Sequence, residues 1–277
     1  LFQQFNNKKV LIVGDAMIDA YMWGEINRVS PEAPVPIVEI KKNESRLGGA
    51  ANVALNLKAL GATPILCSVV GTGNRGVLFK DLMKESNLSI DGIIATKERK
   101  TTIKTRVISE RKHQIRIDEE EIHPIEQVDE FIKQTTSLMN DINVVILQDY
   151  NKGVLTPKII EMLILTANKK GIPTIVDPKN KNFISYKNCT IFKPNLIEIK
   201  SGMSIEFDSD NLDEIKNATT KLLNKLSAKG ILLTLSEKGI CITTGKYFTH
   251  TPAFKRKMID VSGAGDTVVS VASLCLA

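Results

Sequence analysis

Five short apolar runs, at residues 9–14, 64–70, 144–148, 174–177 and 230–235, alternate with longer stretches of helical period. This alternation narrows the possible folds more than any other feature of the chain. The intervening stretches, 50–60, 77–86, 128–140, 157–170 and 212–226, repeat their apolar residues at three- and four-residue steps, as at Leu57 and Leu60 or Leu222, Leu223 and Leu226. Apolar runs without polar alternation read as strands buried on both faces. Strands separated by helices call for a mainly parallel sheet with helices on either side, an α/β fold of three layers. With 277 residues and 43% hydrophobic content, the chain can build that core without staples, and residues 1–277 are expected to form one domain.

Two segments break the alternation. Residues 20–40 mix Tyr21, Trp23, Gly24 and three prolines with short β-like runs. Residues 101–118 alternate charged and β-branched side chains around a hairpin turn. Together they read as a small β-sheet folded out from the main one, in preference to solvated loops.

Charge and cysteine content exclude several classes. A net charge of +6 is mild for this length, the basic residues are scattered, and only 5% of residues are aromatic, so no nucleic-acid surface is expected. The excess is compatible with a small anionic substrate. Cys67, Cys189, Cys241 and Cys275 follow no metal-binding spacing and read as small buried thiols in a reducing cytoplasm. No apolar run approaches the ~18 residues of a membrane span, and no signal peptide is expected before the first strand. The chain opens at Leu1 and stops at Ala277 inside an apolar helical run, so its C-terminal end is expected to be incomplete.

The residues with most chemical content lie in Asp260-Val261-Ser262-Gly263-Ala264-Gly265-Asp266-Thr267. A side-chain-poor turn before a helix can offer backbone N–H groups to an anion. Asp266 then stands where it could take a proton from a nucleophile attacking a phosphate. The same residues also suit a plain helix cap after a glycine turn.

Other motifs fall at the ends of strands, where ligands bind in open α/β sheets. Asp15 and Asp19 follow the first strand and could accept hydrogen bonds from sugar hydroxyls, although Asp15 could equally cap a turn. Gly48, Gly49 and Asn52 open a predicted helix and would let a polyol approach the backbone. Asn195 and Glu198 lie three apart on one helical face and could hold Mg²⁺ through water, or simply start the helix. Thr234, Ser236 and Gly239 suit nucleotide phosphate or ribose contacts at another strand end. A literal GxGxxG at residues 71–76 lies outside the opening βαβ unit, and its glycines read as a turn. There is no P-loop, so a phosphotransferase would have to cradle phosphate in the turn at 263–265.

In order, these blocks resemble the ribokinase/PfkB carbohydrate kinase family over essentially the whole chain. The run 260–266 is similar to its C-terminal motif, Gly48-Gly49-Ala50-Ala51-Asn52 to its sugar-binding motif, and Asn195 with Glu198 to its NxxE motif. The resemblance implies a ribokinase-like fold whose small sheet acts as a lid, and a homodimer paired through it. It also implies ATP and Mg²⁺ as cofactors, Asp266 as catalytic base, and Gly263, Ala264 and Gly265 as the anion hole. Within the family, Arg28-Val29-Ser30-Pro31-Glu32-Ala33-Pro34-Val35-Pro36-Ile37-Val38 and residues 46–54 resemble the heptose 7-phosphate kinase group, as do Asp149-Tyr150-Asn151-Lys152-Gly153 and Asp177-Pro178-Lys179. That likeness implies phosphorylation of the 1-hydroxyl of a heptose 7-phosphate, with Lys179, Arg106 and Arg116 as candidates for the sugar phosphate. A kinase for another sugar, or a catalytically silent sugar-binding protein of the same fold, is the alternative. The chain differs from the family in stopping before the segment that completes the adenine pocket. Residues 71–76 also lack the acidic residue that relatives carry there.

Overall fold

The computed structural model describes residues 2–254 and 263–277. Elements are numbered in chain order. Among the described residues, nine strands make the main sheet: β1 (Lys9–Gly14), β4 (Thr63–Gly71), β5 (Ile93–Thr96), β8 (Val144–Gln148), β9 (Thr174–Asp177), β10 (Ile191–Phe192), β11 (Gly230–Thr234), β12 (Ile240–Thr244) and β13 (Phe248–Thr251). Their order is β13-β12-β11-β10-β9-β8-β1-β4-β5. Every pairing from β5 to β11 is parallel, and β12 and β13 add an antiparallel edge.

The expected strands are all present. Those the sequence hides are short or half-exposed: β10 has two residues, β12 alternates buried and open positions, and the edge strand β13 has no buried residue.

Alternate residues of β1 feed two separate cores, which is what makes three layers. Leu11 and Val13 pack with residues of α3 (Val128–Ser137), α4 (Pro157–Lys169) and α6 (Leu212–Leu226), among them Phe131, Ile160 and Leu222. Val10 and Ile12 pack on the other side with α1 (Ala50–Ala59), α2 (Asn74–Glu85) and α7 (Ala264–Leu276), through Val53, Phe79 and Val269. Helix α5 (Leu196–Met203) joins the first core through Ile199. Local sequence sets these boundaries. Thr156 accepts from the Ile159 N–H with Pro157 in the first turn of α4, and Asn211 caps α6 in the same way.

The second sheet is a lid of four strands in the order β3-β2-β6-β7: β2 (Ala16–Val29), β3 (Pro36–Gly49), β6 (Ile103–Ser109) and β7 (Lys112–Glu119). It is longer than the expected 20–40 and 101–118. Asp15 alone separates β1 from β2, so the chain passes from core to lid in one residue. Gly49 returns it directly to α1 with φ of 59°. Residues 47–49, expected at a helix start, are therefore the end of a strand. The β6–β7 hairpin turns at Glu110 and Arg111, with φ of 51° and 61°, as a two-residue turn of this hand requires.

The GxGxxG segment is a strand end, a two-residue bend at Thr72 and Gly73, and the first residues of α2. Gly71 ends β4, and a Cβ on Gly76 would collide with the Gly71 carbonyl oxygen. Cys67, Cys189 and Cys241 are buried as expected, and burial pushes the Cys67 thiol up to about 12. Cys275 corrects the expectation: it lies on an outward face of α7 and is exposed. No helix among the described residues is long and apolar enough to cross a membrane.

Candidate active site

The carboxyl ends of the parallel strands gather the charged residues. Strand order reverses between β1 and β8, where Gly14 pairs with Gln148 so closely that a Cβ would strike the Gln148 carbonyl oxygen. In register beyond them come Asp177 at the end of β9 and Lys193 just after β10. The N-terminus of α7 sits over this row. Gly263 precedes it in the left-handed region at φ 77°, and the N–H groups of Ala264, Gly265 and Asp266 have no acceptor within the helix. Ala264 and Gly265 are exposed, so this turn is open to an anion. Asp260, Val261 and Ser262 of the same motif lie outside the described residues.

Asp266 is 8% exposed and firmly held. Its Oδ2 accepts from Asn52 Nδ2 at 2.7 Å, and its Oδ1 accepts from the Tyr150 hydroxyl at 2.7 Å and from Gln148 Nε2 at 3.4 Å. Gln148 Nε2 also donates to Asp177 Oδ2 at 3.1 Å, and Asp177 Oδ1 pairs with Lys193 Nζ at 2.9 Å. Burial pushes the Asp266 carboxyl above its ordinary value, and Asp177 adds to this. Asn52, Tyr150 and Lys193 pull the other way. A carboxylate raised in this manner suits proton abstraction near neutral pH.

Asp15 and Asp19 have parted company. Asp15 is 1% exposed, and its carboxylate accepts the backbone N–H groups of Tyr150 at 2.8 Å, Lys152 at 3.0 Å and Val154 at 3.0 Å. It anchors the loop after β8 and presents no free oxygen to a sugar in this structure. Burial raises its pKa against those three hydrogen bonds. Asp19 stands on β2, pairs with Arg106 of β6 at 2.6 Å and is half-buried. Its Oδ2 occupies the space a Gly48 side chain would fill. Arg116 faces Arg106 across the β6–β7 pair, is exposed and is bound to Asp118 at 2.9 Å. Asn52 lies on α1 against Gly263, nearer the base than the lid.

On the other flank, Asn195 and Glu198 form a capping box at the start of α5. The Glu198 N–H donates to Asn195 Oδ1 at 2.8 Å, and the Asn195 N–H donates to Glu198 Oε2 at 2.9 Å. Glu198 Oε1 is paired with Lys179 Nζ. Burial opposes the Lys179 charge, but Glu198 outweighs it and raises its pKa. Asn195 bridges in parallel to Thr234, so both stand at the sheet edge, with Ser236 two residues beyond. Gly239, at φ 99°, turns the chain into β12 where a Cβ would meet the Thr251 carbonyl oxygen.

A model of the pfkB family of carbohydrate kinases matches residues 7–277. The chain belongs to that family. Among curated relatives, the bifunctional protein HldE of Citrifermentans bemidjiense is 38% identical over 281 residues, covering 100% of this chain and 57% of that protein. The HldE of Helicobacter pylori strain G27 is 38% identical over 274 residues, covering 97% and 58%. The chain thus spans somewhat over half the length of these relatives. Two solved structures share the fold. The tetrameric inhibited form of phosphofructokinase-2 from Escherichia coli superposes with a TM-score of 0.77 at 18% identity over 98% of this chain and 87% of that one. Arabidopsis thaliana ribokinase, complexed with ribose and ATP, gives 0.72 at 18% identity over 98% and 86%. The three-layer core with its small sheet is therefore ribokinase-like.

In this pfkB chain, four residues with no role assigned from the sequence surround the Asp266 carboxylate or its partners: Gln148, Tyr150, Asp177 and Lys193. Gln148 and Asp177 end buried strands, and a polar residue closing an apolar run is the signal that marks them. Lys193 follows a strand of two residues and had no such signal.

Proposed function

We propose that this chain transfers the γ-phosphoryl group of ATP to the anomeric 1-hydroxyl of D-glycero-β-D-manno-heptose 7-phosphate. The product is the 1,7-bisphosphate used for ADP-heptose and the lipopolysaccharide core. One observation carries the phosphoryl-transfer half: a buried Asp266, held by Asn52, Tyr150 and Gln148 in the first turn of α7, beside exposed residues whose N–H groups have no acceptor within the helix. The blocks at 28–38 and 46–54, and similarity to HldE proteins along the whole chain, support the heptose as substrate.

In this reading the acceptor oxygen attacks the γ-phosphorus as its proton passes to Asp266. The bond to the bridging oxygen breaks, and ADP leaves with the electron pair. The N–H groups of Ala264 and Gly265, with the Gly263 turn, stabilise charge on the transferred oxygens. Asp19, Gly48, Gly49 and Asn52 line the approach of the sugar, and Arg106, Arg116 and Lys179 are the cations for its phosphate. Asp15 supports the site by holding the 150–154 loop. Thr234, Ser236 and Gly239 flank the nucleotide.

Asn195 Oδ1 and both Glu198 oxygens already hold hydrogen bonds, through the capping box and to Lys179, so Mg²⁺ is better held through water than by direct ligation. Ligation through water fits, since a carboxylate offers about four lone-pair sites and Glu198 uses two. When bound there, the metal would neutralise triphosphate charge.

We read the chain as one cytoplasmic kinase domain. Ile115 and Ile117, 56% and 50% exposed on the edge strand β7, suit pairing of two lids in a homodimer, which sedimentation at varied concentration would test.

The test of function is ATP-dependent phosphorylation of the heptose 7-phosphate against ribose and fructose 6-phosphate, read as ADP release. Turnover confined to the heptose phosphate is expected. Turnover on another sugar replaces the substrate and keeps the mechanism. Heptose binding without turnover turns the reading into a sugar-binding protein.

A further inference from the structure

The base has a lone pair that the acceptor hydroxyl needs, and that position is taken. The Tyr150 hydroxyl donates to Asp266 Oδ1 at 2.7 Å and Gln148 Nε2 to the same oxygen at 3.4 Å, so both lone pairs of Oδ1 are used, while Oδ2 accepts from Asn52. Nothing in the phosphoryl transfer described above uses this phenol.

Its mounting is rigid. The Tyr150 N–H is fixed on Asp15, as are those of Lys152 and Val154. The Asn151 N–H donates to Asp149 Oδ1 at 2.7 Å, and the Ile125 N–H donates to the Gly153 carbonyl at 3.0 Å. Asp149 is itself held by the Tyr186 hydroxyl at 2.6 Å. The Tyr150 ring lies 6.0 Å from Lys179 Nζ. The main chain is thus tied to the buried Asp15 and Asp149, and the hydroxyl is aimed at the base.

A general base beside ATP is a hazard when no sugar is bound. A water on Asp266 Oδ1 would give its proton to the carboxylate, its oxygen would attack the γ-phosphorus, and ADP would leave with the bridging-oxygen electrons. ATP would be lost as ADP and inorganic phosphate. We infer that Tyr150 is a specificity residue whose phenol keeps water off Asp266 Oδ1 until a sugar hydroxyl displaces it. The inference rests on the reading of Asp266 as the base. A sugar phosphate brings many contacts with lid and core and can displace one charge-assisted hydrogen bond; a lone water cannot. Burial and the Asp266 charge both raise the Tyr150 pKa, so the phenol keeps its proton and remains a donor.

The experiment measures ATP hydrolysis by the full-length protein without sugar, for wild type, Tyr150→Phe, Asp266→Asn and the double variant. Phenylalanine keeps the ring beside Lys179 and the main-chain N–H on Asp15, so the unfolding midpoint should hold. Tyr150→Phe is expected to raise sugar-independent hydrolysis roughly tenfold or more, the factor one charge-assisted hydrogen bond sets. The double variant should return to the wild-type rate or below. A rate that stays level or falls in Tyr150→Phe overturns the inference, as does a rise that survives loss of Asp266. Failure of the underlying reading looks different: Asp266→Asn alone would then keep its sugar phosphorylation, whatever Tyr150 does.

Discussion

The carboxyl edge of the main sheet and the lid both pair carboxylates with cations, but they do so in different surroundings. At the edge, Asp177 and Lys193 have side chains only 11% and 4% exposed, and Asp15 is bound by three backbone N–H groups. On the lid, Asp19 and Arg106 keep 23% and 21% of their side chains exposed, and Arg116 keeps 57%. Removing one partner from a buried pair leaves an uncompensated charge and costs about 3–5 kcal/mol, whereas an exposed pair is worth about 0–1 kcal/mol. The edge therefore holds groups whose positions must not vary, and the lid holds groups free to exchange partners for a ligand.

The largest expected effect separates chemistry from stability at the edge itself. Asp266→Asn should lower kcat by about 10²–10⁴, the usual worth of a general base. Urea denaturation should find the variant nearly as stable as wild type, because the amide keeps the shape of the carboxylate. Collapse of the folded state would instead make Asp266 a structural cap.

Next comes a direct contrast between the first two aspartates. Asp15→Ala removes the acceptor of three backbone N–H groups, one buried and two partly buried, at about 1–3 kcal/mol for a buried group left unsatisfied, so it should destabilise by a few kcal/mol. Asp19→Ala should stay within about 1 kcal/mol of wild type in the same titration and instead raise KM for the sugar phosphate about tenfold or more. Equal loss of stability in the two variants would break the comparison. A smaller effect is expected from Gly48→Ala, whose Cβ would strike Asp19 Oδ2 and push it from Arg106. KM should rise with kcat little changed, and no change in KM would remove Asp19 from sugar recognition.

These contrasts explain what the sequence could and could not reveal. Period and run length are local, so the buried strands and crossover helices were legible, as were the turn at 263–265 and the carboxylate after it. The division of labour between Asp15 and Asp19 was not. Four residues apart beyond one strand, they look alike, and only the loop after β8 folding back decides that Asp15 is consumed by backbone N–H groups. Tyr150, likewise, comes within hydrogen-bonding distance of Asp266 from 116 positions away, through the packing of α7 against β8. Asn52 looked like a sugar ligand because it follows two glycines. Its contact with the base depends on how α1 packs against α7, which no local pattern encodes. At the start of α5 the helix-start reading is the one on view, since Asn195 and Glu198 cap the helix; the pairing of Glu198 with Lys179 was not legible, because Lys179 comes from the segment after β9.

The smallest effect tests how tightly the edge is coupled. As the base, Asp266 must be ionised, so kcat should rise with pH along an acid limb. Burial, and after it the Asp177 charge, set that limb above the ordinary aspartate range of about 4. Asp177→Asn, which also costs stability by leaving the buried Lys193 charge uncompensated, should move the limb of the folded enzyme to lower pH by two routes of the same sign. It removes a negative neighbour of Asp266, and it frees the Lys193 charge to favour the ionised base. A pH profile of kcat for wild type and variant, at saturating sugar and ATP, reads the shift independently of the plateau height. A limb that stays in place means the titrating group is not Asp266, or that Gln148, which bridges the two carboxylates, insulates one from the other. A limb that moves up contradicts the charge arrangement at the edge. The lid variant Asp19→Ala should leave the limb where it is, because its carboxylate lies with Arg106 on the second sheet and is not among the groups that shift Asp266.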